Sequence, residues 1–134
     1  MLGNSSADYD SIMGSLIMAF LLTSTTGTLH VPVIDCMREH LGLRFEVMAV
    51  LKKYKIDGER VFLFREEMLQ RREGWVVSLY DHNQRPEMTD IKVEYVVDHH
   101  ALGECKGRKV LVTRMGSALT LLYYLMHPKL LGKI

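Results

Sequence analysis

A chain of 134 residues has room for one domain around one hydrophobic core, and not for two full-sized domains. At 48% hydrophobic and 25% charged the composition is that of an ordinary globular protein. A formal net charge of +1 removes any general electrostatic case for nucleic acid or an anionic membrane as partner.

Taken in chain order, Met1 and Leu2 read as the last residues of a strand. After GNSSADYD, apolar residues at Ile12, Leu16, Ala19 and Phe20 predict a helix from about Ser11 to Leu22, capped by Asp10 or Ser11. The stretch IMGSLIMAFLL is too short to cross a bilayer. Asp8 and Asp10 stand where a signal peptide would carry basic residues. TSTTGT reads as a loop. LHVPVID is rich in β-formers, and Pro32 in its middle points to an edge or an interrupted ladder.

Helical spacing returns from Leu43 to about Tyr54, with Phe45, Met48, Leu51 and Val47 as the inward candidates. KIDGE is a turn and RVFLF a strand; Glu66 to Arg72 is helix or loop. GWVVSLY, KVEYVV and VLVT read as further strands. A last helix, about Gly116 to Met126, would pack through Leu119, Leu122, Tyr123 and Met126 and stop at His127-Pro128. Alternating strands and helices predict an α/β fold, a mostly parallel sheet flanked by helices. Cys36 and Cys105 show no metal-binding or redox spacing and read as free thiols, so the expected location is cytoplasmic.

In such a sheet ligands gather beyond the carboxyl ends of the strands. Three polar clusters stand there: GNSSADYDS after the first stub, DHN (81–83) after Tyr80, and DHH (98–100) after Val97. Parallel strands would bring Asp8, Asp10, Asp81, Asp98, His99 and His100 to one edge. Several carboxylates gathered closely repel one another unless a cation sits among them, and oxygen with imidazole ligands suits manganese or cobalt, with magnesium possible. Each element also has a plain structural use. Asp at a strand end starts turns, Asp10 can be a helix cap, and His82 suits a supporting hydrogen bond better than a metal bond. His30, His40 and His127 read as surface or boundary residues.

The four ordered motifs, GNSSADYDS, LYDHN, VVDHHAL and GSALTLL, resemble those of the DHH phosphoesterase superfamily. The connecting segments VPVIDCMREHLGLRFEV and VFLFREE resemble its exopolyphosphatase and prune branch in particular, which is related to the manganese-dependent family II pyrophosphatases. The resemblance covers essentially the whole chain and implies a Rossmann-like domain holding two divalent metal ions, manganese foremost. Asp8, Asp10, Asp81 and His99 match metal ligands, with Asp81 as the bridge. His100 matches the histidine that contacts phosphate and assists the leaving group, and Asp98 matches the aspartate that orients its histidine neighbours. Asn4 stands where the pyrophosphatases have histidine and could hold a phosphate oxygen instead. Gly116 and Ser117 match the fourth motif, where a helix N-terminus supports the histidines or an anion through backbone N–H groups. Arg114 and Arg85, next to motifs, are candidates for phosphate contact or for pairing with Glu94 and Glu87.

The resemblance also implies features that this sequence does not contain: a further aspartate beyond the fourth motif and a second, basic DHHA2-type C-terminal domain. The expectation is therefore a single, partial DHH-type domain over residues 1–134. The leading functional expectation is a metal-dependent phosphohydrolase acting on polyphosphate, pyrophosphate or a nucleotide phosphate. The alternative is a catalytically weak or inactive prune-like binding or regulatory protein. A nuclease-type phosphodiesterase comes third, since no basic, aromatic-rich surface favours nucleic acid.

Overall fold

Every strand pairing among the described residues is parallel. The computed structural model describes residues 1–71, 74–84, 91–103 and 107–127. β1 (Val33–Ile34) pairs with β2 (Leu63–Phe64). β3 (Val76–Tyr80) pairs with β4 (Lys92–Asp98), which pairs in turn with β5 (Lys109–Val112). Leu2 joins the two groups by bridging Val33 on one side and Leu79 on the other. Its N–H donates to the Ser78 carbonyl at 2.8 Å, and Val33 N–H donates to the Met1 carbonyl at 2.7 Å.

The order across the sheet is thus β2, β1, Leu2, β3, β4, β5. The chain runs outward from Leu2 to β2, returns beside Leu2 as β3, and runs outward again in the other direction. That reversal is the switch point of a doubly wound, Rossmann-like sheet. The α/β expectation holds.

Successive strand residues face opposite sides, and the core divides accordingly. Leu2, Val33, Val77, Leu79 and Val96 pack with Met68 of α4 (Arg65–Arg71). Tyr80 and Val97 pack instead with Met18 and Leu22 of α1 (Tyr9–Thr26) and with Leu121 and Leu122 of α5 (Ala118–Met126). A third cluster joins Ile34 and Phe64 to Ile12 of α1 and to Val47 and Leu51 of α2 (Phe45–Lys53). Each aliphatic side chain buried this way contributes about 1.5–3 kcal/mol.

Helix limits and inward faces differ from expectation in several places. α1 is capped by Asp8, whose Oδ1 accepts from Ser11 N–H at 3.0 Å, and not by Asp10 or Ser11. It runs on through the threonines, and the Thr25 and Thr26 hydroxyls donate back to the Leu21 and Leu22 carbonyls. Gly27 ends it at φ 69°, a conformation that suits glycine. Phe20, expected inward, is 69% exposed; Met18 and Leu22 take that face.

In α2 the buried pair is Val47 and Leu51, one helical turn apart, while Phe45 is 75% exposed and Met48 also faces water. β1 is inside the sheet, not at an edge. Pro32 stands just before it and contributes only a carbonyl, which accepts from Leu63 N–H at 3.0 Å. RVFLF is shortened because Asp57 accepts from Glu59 N–H and starts a helical turn, α3 (Gly58–Val61). α5 begins at Ala118, not Gly116, and buries Ala118, Leu121 and Leu122, leaving Tyr123 and Met126 half exposed. Cys36 is buried and free; Cys105, Arg85 and Glu87 lie outside the described residues.

Candidate active site

The switch point sets the end of the first segment beside the end of β3, and the polar clusters meet there. Asp81 leaves β3 at φ 63°, in the left-handed region that aspartate and asparagine tolerate better than most side-chain-bearing residues. Its Oδ2 accepts from Asn4 Nδ2 at 2.7 Å, and its carbonyl accepts from the same amide nitrogen at 3.2 Å. Asn4 Oδ1 accepts from the Ser6 hydroxyl at 2.6 Å and from Ala7 N–H at 3.1 Å. The amide is therefore fully engaged, and Asn4 braces Asp81 where the resemblance had suggested a phosphate contact. Asn4 N–H is itself held by Ser11 Oγ at 2.6 Å.

The other oxygen of Asp81, Oδ1, is buried without a hydrogen-bond donor. It faces His99 Nε2 at 3.1 Å, and Asp10 Oδ2 stands 3.8 Å from the same nitrogen. His99 Nδ1–H donates to the Met115 carbonyl at 2.9 Å. A carbonyl only accepts, so a neutral His99 ring carries a lone pair on Nε2. Three lone-pair-bearing atoms thus face one another, an arrangement that is repulsive unless a proton or a cation lies among them. Burial first, then the neighbouring charges of Asp10 and Asp8, push the Asp81 carboxyl up to about 7. Asp81, His99 and His100 each offer a ligand atom, all within 4.8 Å of one another. Carboxylate oxygen with imidazole nitrogen suits a divalent ion of intermediate hardness, so these residues fit the cation that the resemblance implies.

Asp98, the last residue of β4, is completely buried. Its Oδ1 accepts from His99 N–H at 2.8 Å, His100 N–H at 3.2 Å and His100 Nδ1–H at 2.7 Å. Its Oδ2 accepts from Asn83 Nδ2. Burial opposes the charge, but the bonds from His100 and Asn83 outweigh it and hold the carboxyl below its usual range. The same contact with Asp98 raises the His100 ring above the ordinary histidine value, against a smaller opposing effect of burial.

Asp10 is held from the far end of the chain. Its two oxygens accept from Ala118 N–H and Leu119 N–H, each at 2.8 Å, at the start of α5. The fourth motif therefore does present backbone N–H groups to an anion, but the anion is the chain's own aspartate. Ser117 caps the helix through its hydroxyl, which accepts from Leu119 N–H at 3.1 Å, and Gly116 lies exposed just before it. The histidine support comes from the Met115 carbonyl, just before this motif.

No protein-family model matches the chain. Among curated proteins, it is 31% identical over 132 residues to Exopolyphosphatase PRUNE1 of Rattus norvegicus and 33% identical over 132 residues to that of Bos taurus, each alignment covering 90% of this chain. The Homo sapiens protein is 33% identical over 106 residues, 78% of this chain. Over this span the chain is similar to the prune exopolyphosphatases. It spans 29% of the length of the rat and bovine relatives and 20% of the human one.

The remaining candidates stand outside the trio of Asp81, His99 and His100. His82 Nδ1–H donates to the Tyr80 carbonyl at 2.9 Å. Arg114 is exposed on the loop after β5, and Glu94 pairs with Arg108 instead, at 3.2 Å. Asp8 caps α1 with one oxygen, and its other accepts from the Ser6 hydroxyl at 3.3 Å. Sequence reasoning missed Asn83, Ser11, Ala7 and Met115. Only Asn83 carried a readable signal, as the third letter of DHN. Among the described residues no helix is long and apolar enough to cross a membrane.

Proposed function

We propose that residues 1–134 act as one DHH-type unit of a metal-dependent phosphohydrolase of the exopolyphosphatase kind. Asp8, Asp10, Asp81 and His99 would hold two divalent ions, manganese first and magnesium or cobalt next, with Asp81 between them. Bound there, such ions lower the pKa of a water and neutralise phosphate charge. The residues of the chain supply the rest. Asn4 fixes one oxygen of Asp81 and leaves the other free to ligate. Asp98 accepts the hydrogen bond from His100 Nδ1–H, so Nε2 is the nitrogen left to meet the substrate. The ring's affinity for protons is raised by Asp98, the direction that suits a group donating a proton to a leaving phosphate oxygen. The substrate class is polyphosphate, pyrophosphate or a nucleotide phosphate, and we place the protein in the cytoplasm, in keeping with the free thiol of Cys36.

The observation that carries this reading is the 3.1 Å approach of His99 Nε2 to an Asp81 oxygen that lacks a donor. Purified chain with manganese should release phosphate from polyphosphate or pyrophosphate, and not nucleotides from single-stranded DNA. Manganese binding without turnover on any phosphate substrate, cyclic nucleotides included, would favour a binding or regulatory role. Failure to bind manganese at all would overturn both.

A further inference from the structure

We infer that Asn83 is a positioning residue: through Asp98 it holds the His100 ring in place. Four observations lead to this. The His100 side chain is 55% exposed, so packing does not fix it. Its ring is held by the 2.7 Å bond from Nδ1–H to Asp98 Oδ1 and by contact with the tilted His99 ring, 4.3 Å between centroids. Asp98 Oδ1 already accepts three donors, while its buried Oδ2 accepts from Asn83 Nδ2. Asn83 is itself buried and anchored on the loop beyond the histidines: Nδ2 also donates to the Ala101 carbonyl at 2.9 Å, and Oδ1 accepts from Gly103 N–H at 2.9 Å.

The amide therefore does two things at once. It supplies the donor that Oδ2 needs in a site closed to water, and it pins the segment on which His100 stands. Leaving a buried carboxylate oxygen without its donor is costly, and rotation of Asp98 toward water or another donor would relieve that cost. Asp98 Oδ1, and the ring bonded to it, must then follow. Asn83 also lies two residues after Asp81, so the single turn leaving β3 sets both the carboxylate that faces His99 and the brace behind His100.

The name of the role rests on the proposed function, since it supposes that His100 works on a substrate. The placement of the ring does not, and the test is read on the metal-free chain. Side-chain relaxation of the Cε1–H groups gives a separate order parameter for His99 and His100. In Asn83→Ala, and in the volume-filling Asn83→Leu should the smaller residue unfold the chain, His100 should fall from about 0.8 to below about 0.6, the range of mobile groups. His99 should not change, because its ring is tied to the Met115 carbonyl and not to Asp98. Loosening of both rings together would mean only that the rim had melted, and would overturn the assignment. So would a His100 ring as ordered in the variants as in the wild type. A chain that hydrolyses no phosphate but shows selective loosening of His100 would refute the proposed function and leave this inference standing.

Discussion

Replacing Asp81 by asparagine should stabilise the metal-free chain, the opposite of what most changes at a buried polar position do. The carboxylate is 1% exposed, and its titration is pushed from 3.8 to about 7 by burial and by Asp10 and Asp8. A group whose folded pKa lies above its unfolded one stabilises fully below the unfolded value, and that stability is lost as pH rises through the folded value. Asp81 therefore weakens the metal-free fold progressively between about pH 4 and pH 7, by roughly 4 kcal/mol in all at about 1.4 kcal/mol per unit. Asparagine carries no charge, accepts the left-handed backbone at φ 63°, and can still take the Asn4 bond through its oxygen. Its new N–H₂ would point its hydrogens at His99 Nε2, 3.1 Å from the atom it replaces. Urea unfolding in the presence of a chelator should show Asp81→Asn more stable than wild type, with the gap widening by about 2–3 kcal/mol between pH 5 and pH 8. Manganese should raise the wild-type midpoint, and by more at pH 8 than at pH 5, while leaving the variant nearly unmoved. A variant less stable than wild type at pH 8 in chelator would refute the claim that like-charged and lone-pair-bearing atoms are forced together here.

Other outcomes follow from contacts already described. His82→Ala should weaken manganese binding less than Asp81→Asn does, as measured by calorimetry, because its Nδ1 bonds the Tyr80 carbonyl. Gly14→Ala, which would ordinarily favour a helix by about 1 kcal/mol, should instead lower the unfolding midpoint. Its Cβ would fall 2.0 Å from Tyr80 Cε1, and overpacking of that kind costs about 1–3 kcal/mol or more. Tyr80→Phe should be neutral or stabilising by about 1 kcal/mol in the same assay, since the buried Tyr80 hydroxyl has no hydrogen-bond partner. If the chain turns over phosphate, His100→Ala should lower kcat by about 10²–10⁴ while sparing manganese affinity measured by calorimetry.

The sheet and the gathering of charged residues were legible in the sequence because each apolar run stops at a polar cluster, and parallel pairing brings those stops to one rim. The centre of the sheet was less so: one residue, Leu2, links its two halves, and a single position has no periodicity to read. Aromatic residues misled. Phe20, Phe45 and Tyr123 are as hydrophobic as their neighbours, but which face a helix covers depends on what packs against it. Within the candidate site, residue types gave the carboxylates and imidazoles but not their supports. Met115 acts through its main-chain carbonyl, which every residue has, so no letter in the sequence could mark it. Asp10 read as a cap of the first helix. Only the fold shows that Asp8 caps its own helix while Asp10 reaches the start of another.

That reach has a consequence for the order in which the protein is made. Asp10 emerges from the ribosome well before the amides that receive its charge, which lie 108 and 109 positions later. Until those have been synthesised and α5 has docked, the negative rim lacks one of its counterweights. The nascent chain can lay down the strands and helices between them early, yet the pocket itself matures only once α5 has docked.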